Sequence, residues 1–313
     1  MKSSEVVSLY IAHKRSLGHR FLTEEYLLQS FCRAAGDSPF ATIKEEAVLA
    51  FLYGNGSVTE YWVKKYHVLS GLYKFALGRG LVTVLPLPRT IPKQTAPAFV
   101  PYIYSHEELK RLLDAVPAAC SPYVSIEVIV LKTLILLLYG AGLRISEALS
   151  LTLDKVDLSQ ACLRISETKF FKSRLVPMGN DLTEILSDYI KAVHHGDAVQ
   201  LDAPLFCFRD GSPLSKSAAR SAFRRMRSFA GIQREGGASR QPRLHDLRHT
   251  AAVHRLIAWY QNGANLQKLL PKLVIYLGHV NLSSTQRYLT LTPELLGQAS
   301  QRFEDYAMGG KHD

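Results

Sequence analysis

Cysteine is scarce and scattered in this 313-residue chain: Cys32, Cys120, Cys162 and Cys207 contain no C-x-x-C pair. That argues against both a thiolate zinc framework and a disulfide scaffold, and leaves reduced, packed thiols as the expectation. Acids are short as well, 27 Asp and Glu against 38 Lys and Arg, for a formal net charge of +11. Such an excess favours polyanion partners, because each cation set on a phosphate releases condensed counterions, although a plain basic soluble protein would look the same. Long apolar runs are missing. The greasiest stretch, 126–143, is broken by Glu127 and Lys132, so it falls short of the ~20 residues of a spanning helix, and no membrane partner is expected. The start, Met1-Lys2-Ser3-Ser4-Glu5, shows no basic region followed by an apolar run, so the chain reads as cytoplasmic. Nothing repeats internally.

What is present suits two domains, since 313 residues exceed the usual ~100–200 of one, and 47% hydrophobic residues suffice for a core in each. Helical spacing runs through the first part: Leu27, Leu28, Phe31, Cys32 and Ala35; Ile43, Ala47, Ala50 and Phe51; then Val58, Trp62, Leu69, Leu72 and Ala76. Turns are expected at 36–39 and 54–57, and a helical bundle over 1–88. Lys64 and Lys65 give its last long helix a basic side, available to DNA or simply to solvent. Prolines 86, 88, 92, 97 and 101 then punctuate a segment with two cations, Arg89 and Lys93, and no acid. This predicts an extended basic linker over 89–102 and a second domain over 103–313.

In that second domain Ser105 and Glu108 have capping-box spacing. An apolar helix over 126–139 stops at Gly140-Ala141-Gly142. Leu163 and Ile165 alternate with Arg164 and Ser166 ahead of 174–177, which predicts a β-hairpin with Lys169 in its turn. The helix over 217–230 is two-sided: Ala219, Ala222, Phe223, Met226 and Ala230 form an apolar stripe, while Lys216, Arg220, Arg224 and Arg227 stack on another face. Cations so spaced can track a phosphate backbone or merely solvate the helix. The expected class is mainly α, with one small antiparallel sheet.

Six polar residues suggest chemistry. His245 and Arg248, three apart on a predicted helix, share a face, where a guanidinium fork can hold two phosphate oxygens while the imidazole donates to one. Singly, each has a plainer reading as a core histidine or a surface cation. His245 and His249 also have the spacing of a helical metal pair. However, Asp246 stands where that motif has Glu, and Arg248 would set a permanent cation beside the ion, so no metal is expected. Arg144, behind the glycine turn, is a second cation at a helix start, with a buried salt bridge to Glu147 as its alternative. Lys169 can serve as a proton donor, Lys172 competes for that task, and either can be an ordinary hairpin lysine. His279 follows Gly278, and Tyr288 follows in Gln286-Arg287-Tyr288-Leu289. A phenol facing a neutralised phosphate can attack it, though a tyrosine chosen from 15 is usually packing.

Taken in order, Ala-Gly-Leu-Arg144-Ile-Ser-Glu147, Thr-Lys169-x-x-Lys172-x-Arg-Leu-Val-Pro177, Leu-His245-Asp-Leu-Arg248-His-Thr, Leu-Gly-His279 and Thr-Gln-Arg-Tyr288-Leu resemble the tyrosine recombinases, the phage-integrase-like family. The resemblance covers roughly 103–300, and 1–88 is similar in position and size to that family's helical core-binding domain. It implies a DNA strand-exchange enzyme working on double-stranded DNA as a homo-tetramer on two sites, without cofactor, metal or small-molecule substrate. Arg144, Arg248, His245 and His279 would grip the scissile phosphate, Tyr288 would attack it, and Lys169 would protonate the leaving 5′ oxygen. The long segment Trp259–Pro271 looks more like integrases and transposases of mobile elements than like compact chromosome-dimer resolvases. A relaxing topoisomerase of the same chemistry and a DNA-binding regulator with an inactive site are the alternatives.

Overall fold

The computed structural model describes residues 1–54, 56–93, 100–120, 125–166, 173–194 and 200–278. The chain divides into two compact units, 1–98 and 99–313. In the first, α1 (Ser3–Ser16), α2 (Leu22–Ala34) and α3 (Glu45–Tyr53) all pack against the long α4 (Glu60–Gly78). Thr59 starts α4 by accepting a hydrogen bond from the Trp62 backbone N–H at 3.3 Å. Around it gather Val6, Leu28, Phe31, Phe40, Leu69 and Leu72, all 1% exposed or less.

Two expectations shift here. Ile43 precedes α3, and the helix buries Val48 and Leu52, not Ala47 and Ala50. The larger side chains four apart take the core, and the alanines lose little by facing water. Lys65 is not on an open basic side either. Its ammonium donates to the Phe51 carbonyl at 2.7 Å and lies 4.7 Å from the Phe51 ring centre, where the carbonyl end of α3 favours a cation. Burial there lowers its pKa. Lys64 pairs with Glu24 at 3.7 Å. Tyr66 donates to the Pro88 carbonyl at 3.0 Å and Leu85 and Leu87 pack on the same core, so the chain up to 88 belongs to this unit, with Arg89 and Lys93 exposed just after it.

In the second unit come α5 (His106–Asp114), α6 (Val116–Ala119), α7 (Val128–Gly140), α8 (Ile145–Ala148), α9 (Asn180–Val193), α10 (Lys216–Phe229), α11 (Asp246–Gln261) and α12 (Leu266–Leu277). The capping box at α5 forms as expected, Ser105 Oγ accepting from the Glu108 N–H and Glu108 from the Ser105 N–H. The apolar α7 is the spine of the core, with Leu131, Leu134 and Leu137 fully buried between α9 and α11. Strands β2 (Cys162–Ile165) and β3 (Arg174–Pro177) pair antiparallel with Leu163 opposite Val176, the predicted hairpin. A two-residue β1 (Val156–Asp157) adds a third strand that is too short to show any alternation in the sequence. Among the described residues no helix is long and apolar enough to cross a membrane.

Candidate active site

Past α7 the chain turns at Gly142, whose φ of +60° suits glycine and where a Cβ would press on Leu277 Cδ2 at 2.9 Å. The turn delivers Arg144 as the N-cap of α8. Its backbone N–H donates to Glu147 Oε2 at 3.0 Å, so the start of this one-turn helix is occupied by its own carboxylate and is no open anion site. The Arg144 guanidinium donates from Nη1 to Glu147 Oε1 at 2.6 Å and from Nη2 to the Gly278 carbonyl at 3.0 Å. The salt-bridge alternative is therefore realised. Yet the Arg144 side chain keeps 32% of its surface in solvent, so an incoming anion still meets it.

Two further arginines share that carboxylate. Arg174 on β3 donates from Nη1 to Oε1 at 3.1 Å, from Nη2 to Oε2 at 2.9 Å, and from Nε to the Tyr276 carbonyl at 2.9 Å. Arg248 on α11 is 2% exposed, and its Nη1 lies 3.7 Å from Glu147 Oε2. The same Nη1 donates to the Gly142 carbonyl at 2.7 Å, and Nη2 to the Leu277 carbonyl. Burial by itself would raise the Glu147 pKa, but the hydrogen bonds from Arg174 and Arg144 override it and hold the carboxyl at about 2. Three guanidinium groups thus surround one carboxylate, leaving a local excess of positive charge. They are fixed by backbone carbonyls on three sides before any ligand arrives.

His245 caps α11, outside the regular turn. His245 keeps helical φ and ψ three residues before Arg248, and the two differ in burial: Arg248 is buried while His245 is exposed. Desolvation first, then the cations of Arg248, Arg243 and Arg144, push its pKa down to about 4. For an exposed imidazole desolvation acts weakly, but the three cations alone give the same direction, a neutral ring at pH 7 that can donate or accept one hydrogen bond. The His249 ring stands edge-on to it, centroids 4.9 Å apart. Among the described residues no group of three His, Cys, Asp or Glu side chains is placed to hold a metal.

Lys169, Lys172, His279 and Tyr288 lie outside the described residues. Their neighbours in the chain are described. The lysine segment departs from β2 and re-enters at β3, beside Arg174. Gly278, just before His279, ends α12 with φ +65°, and a Cβ on it would lie 2.7 Å from Arg174 Nη1. Arg174 is a site residue that sequence reasoning passed over, and Glu147 enters it only as the alternative partner of Arg144. A signal existed for Arg174, which shares the inward side of β3 with the buried Val176 while Leu175 between them faces solvent.

On α10, Lys216, Arg220 and Arg224 are exposed as expected. Arg227 is turned inward, donating from Nη1 to the Pro242 carbonyl at 2.7 Å, three residues before His245. Its task is to hold the approach to α11. Arg227→Ala is therefore expected to lower thermal stability, whereas Arg220→Ala and Arg224→Ala should leave it unchanged; melting curves of the three variants decide this.

The phage integrase family model matches residues 103–294. An integrase/recombinase of Sinorhizobium fredii is 34% identical over 299 residues, covering 95% of this chain and 94% of its own. The tyrosine recombinase XerD of Corynebacterium glutamicum is 30% identical, covering 73% of this chain and 69% of its own. Among solved structures, the Tn1549 transposon integrase in complex with transposon right end DNA superposes with a TM-score of 0.69 at 17% identity, over 98% of this chain and 100% of that one. With a family match over most of the chain and a relative so alike along nearly its whole length, the chain belongs to the phage integrase family of site-specific tyrosine recombinases.

Proposed function

We propose that Arg144, held in place by Glu147, Arg174 and Arg248 and with His245 at the rim, faces the pocket that receives the scissile phosphodiester of double-stranded DNA. The observation that carries this is the preorganised excess of positive charge around Glu147, open to solvent at Arg144 and otherwise locked to backbone carbonyls. Guanidinium forks set in advance stabilise charge that develops on non-bridging oxygens, at no cost of reorganisation during reaction. His245 and His279 donate to the same phosphate. Tyr288 releases its phenolic proton to solvent as its Oη attacks phosphorus, and the bond to the 5′ oxygen breaks. Lys169 supplies that oxygen with a proton, and a 3′-phosphotyrosyl bond remains. Attack by another strand's 5′ hydroxyl reverses the step and frees Tyr288. Since one phosphodiester is traded for another, neither ATP nor a metal is required.

Around this pocket, exposed Lys216, Arg220 and Arg224 on α10, and Lys172 in the hairpin, engage the phosphate backbone. The unit over 1–88 and the basic linker over 89–102, with Arg89 and Lys93, add contacts as a second DNA-holding body. Four copies would assemble on two sites, and the long segment Trp259–Pro271 supports a role with a mobile element. Single substitutions Arg220→Ala and Arg224→Ala are expected to reduce the dependence of log affinity on log salt by about 1 each. Fluorescence anisotropy across a salt series reads this out, and unchanged slopes would detach α10 from the DNA.

The enzymatic reading is tested with nicked duplexes that tile the DNA flanking the coding region on both sides. In such substrates the released fragment diffuses away, so a covalent protein–DNA adduct accumulates and survives detergent. An adduct, together with recombinant joints on intact sites, supports a recombinase. Relaxation of supercoils without joints would indicate a topoisomerase, and binding without any adduct a regulator.

A further inference from the structure

We propose that Arg174 is a positioning residue for strand cleavage, clasping the strand that carries the Lys169 hairpin to the chain that leads into His279. The inference rests on the reading of this cluster as the phosphate pocket. Arg174 sits on β3, at the return of the hairpin, and its side chain is only 10% exposed. Three of its donors are committed at once: Nε to the Tyr276 carbonyl, Nη1 and Nη2 to the two oxygens of Glu147. A rigid guanidinium fork is the side chain able to do this, since it offers donors on two edges of one plane. The end of α12 is moulded on it. Gly278 adopts φ +65° with room for no Cβ, because one would meet Arg174 Nη1 at 2.7 Å. Tyr276 returns the tie by directing its hydroxyl to the Pro177 carbonyl on β3, 3.4 Å away.

Through Glu147, Arg174 also fixes the phosphate-facing cation. Glu147 Oε1 accepts from both Arg174 and Arg144, so the position of the carboxylate sets that of the Arg144 guanidinium. One side chain therefore couples three parts that must arrive together: the phosphate grip, the hairpin with the proton donor, and the segment before His279. It touches none of the reacting atoms and acts only by placing those that do.

The test uses the full chain and the duplex that the wild-type protein captures covalently. Arg174→Gln and Arg174→Lys are expected to bind that duplex about as tightly as wild type yet form adduct roughly 10²-fold more slowly, the loss that a misplacement of about 1 Å brings. Lysine should rescue little, because one ammonium cannot span Glu147 and the Tyr276 carbonyl together. A second duplex carries sulfur at the bridging 5′ position, whose departure needs no proton. If Arg174 aligns the hairpin, part of the deficit disappears on this substrate; an equal deficit on both, or wild-type rates, overturns the proposal. Should Arg174→Gln fail to fold, Gly278→Ala disturbs the same clasp from its other side and faces the same comparison. Hydrogen exchange in the DNA-free protein is the second readout, expected to quicken at 144–150 and 272–278 in Arg174→Gln. If the wild-type protein forms no adduct, the recombinase reading falls by itself, and unchanged exchange at these peptides would overturn the clasp.

Discussion

Tyr288→Phe is expected to bind its DNA site like the wild-type protein and to form no covalent adduct, because the substitution removes a hydroxyl and nothing else. The effect is all or none, since without the phenol oxygen no phosphotyrosyl bond exists to be trapped. Lys169→Ala should behave differently. Loss of a general acid typically slows a reaction by about 10²–10⁴-fold, so adduct still forms, late. Sulfur at the bridging 5′ position should restore cleavage to Lys169→Ala and leave Tyr288→Phe inert. Restoration of Lys172→Ala instead would move the proton donor along the hairpin, and restoration of neither would remove both lysines from that role. Any adduct with Tyr288→Phe would show that another residue is the nucleophile.

Glu147→Gln carries the largest expected effect on folding. The amide keeps the volume of the carboxyl but removes the single negative charge among Arg144, Arg174 and Arg248, and leaves three guanidinium groups facing one another. Removing one partner from a buried charge network commonly costs about 3–5 kcal/mol. The pH dependence identifies the cause. The Glu147 pKa lies at about 2 when folded against an ordinary 4.5, so the stabilisation is fully present above 4.5 and is lost as pH falls toward 2. At about 1.4 kcal/mol per pH unit this amounts to roughly 3 kcal/mol. His245, whose pKa is pushed below its ordinary 6.5 by the neighbouring cations, contributes a separate loss of stability that sets in as pH falls below that value. Urea unfolding of wild type and Glu147→Gln at pH 7 and pH 3 should show a wide gap that narrows in acid. A gap of constant width would mean that the charge of Glu147 is not what holds the cluster.

Features written in a local code were legible in the chain. The Ser105–Glu108 box, the hairpin alternation of Leu163 and Ile165, and the apolar stripe of α10 each need only neighbours a few residues away, and each is found in place. Features decided by distant partners were not. Whether Lys65 faces DNA or the end of α3 depends on Phe51, and whether Arg227 faces solvent depends on the Pro242 carbonyl. The same holds for Glu147, which looks from its own helix like a simple partner of Arg144. Its second and third arginines come from β3 and from α11, and no spacing in the sequence records that meeting.

Among the described residues, the arginine cluster is held by Glu147 and by main-chain carbonyls of Gly142, Tyr276, Leu277 and Gly278. A carbonyl is the same whatever side chain it carries, so the chemistry is insulated from drift in residue identity and exposed only to changes in the path of the chain. The cations on α10, by contrast, stand on a separate helix whose outer face contributes nothing to that scaffold. On the proposed reading, the strength and salt dependence of DNA binding can therefore be retuned on α10 while the cutting apparatus is inherited unchanged.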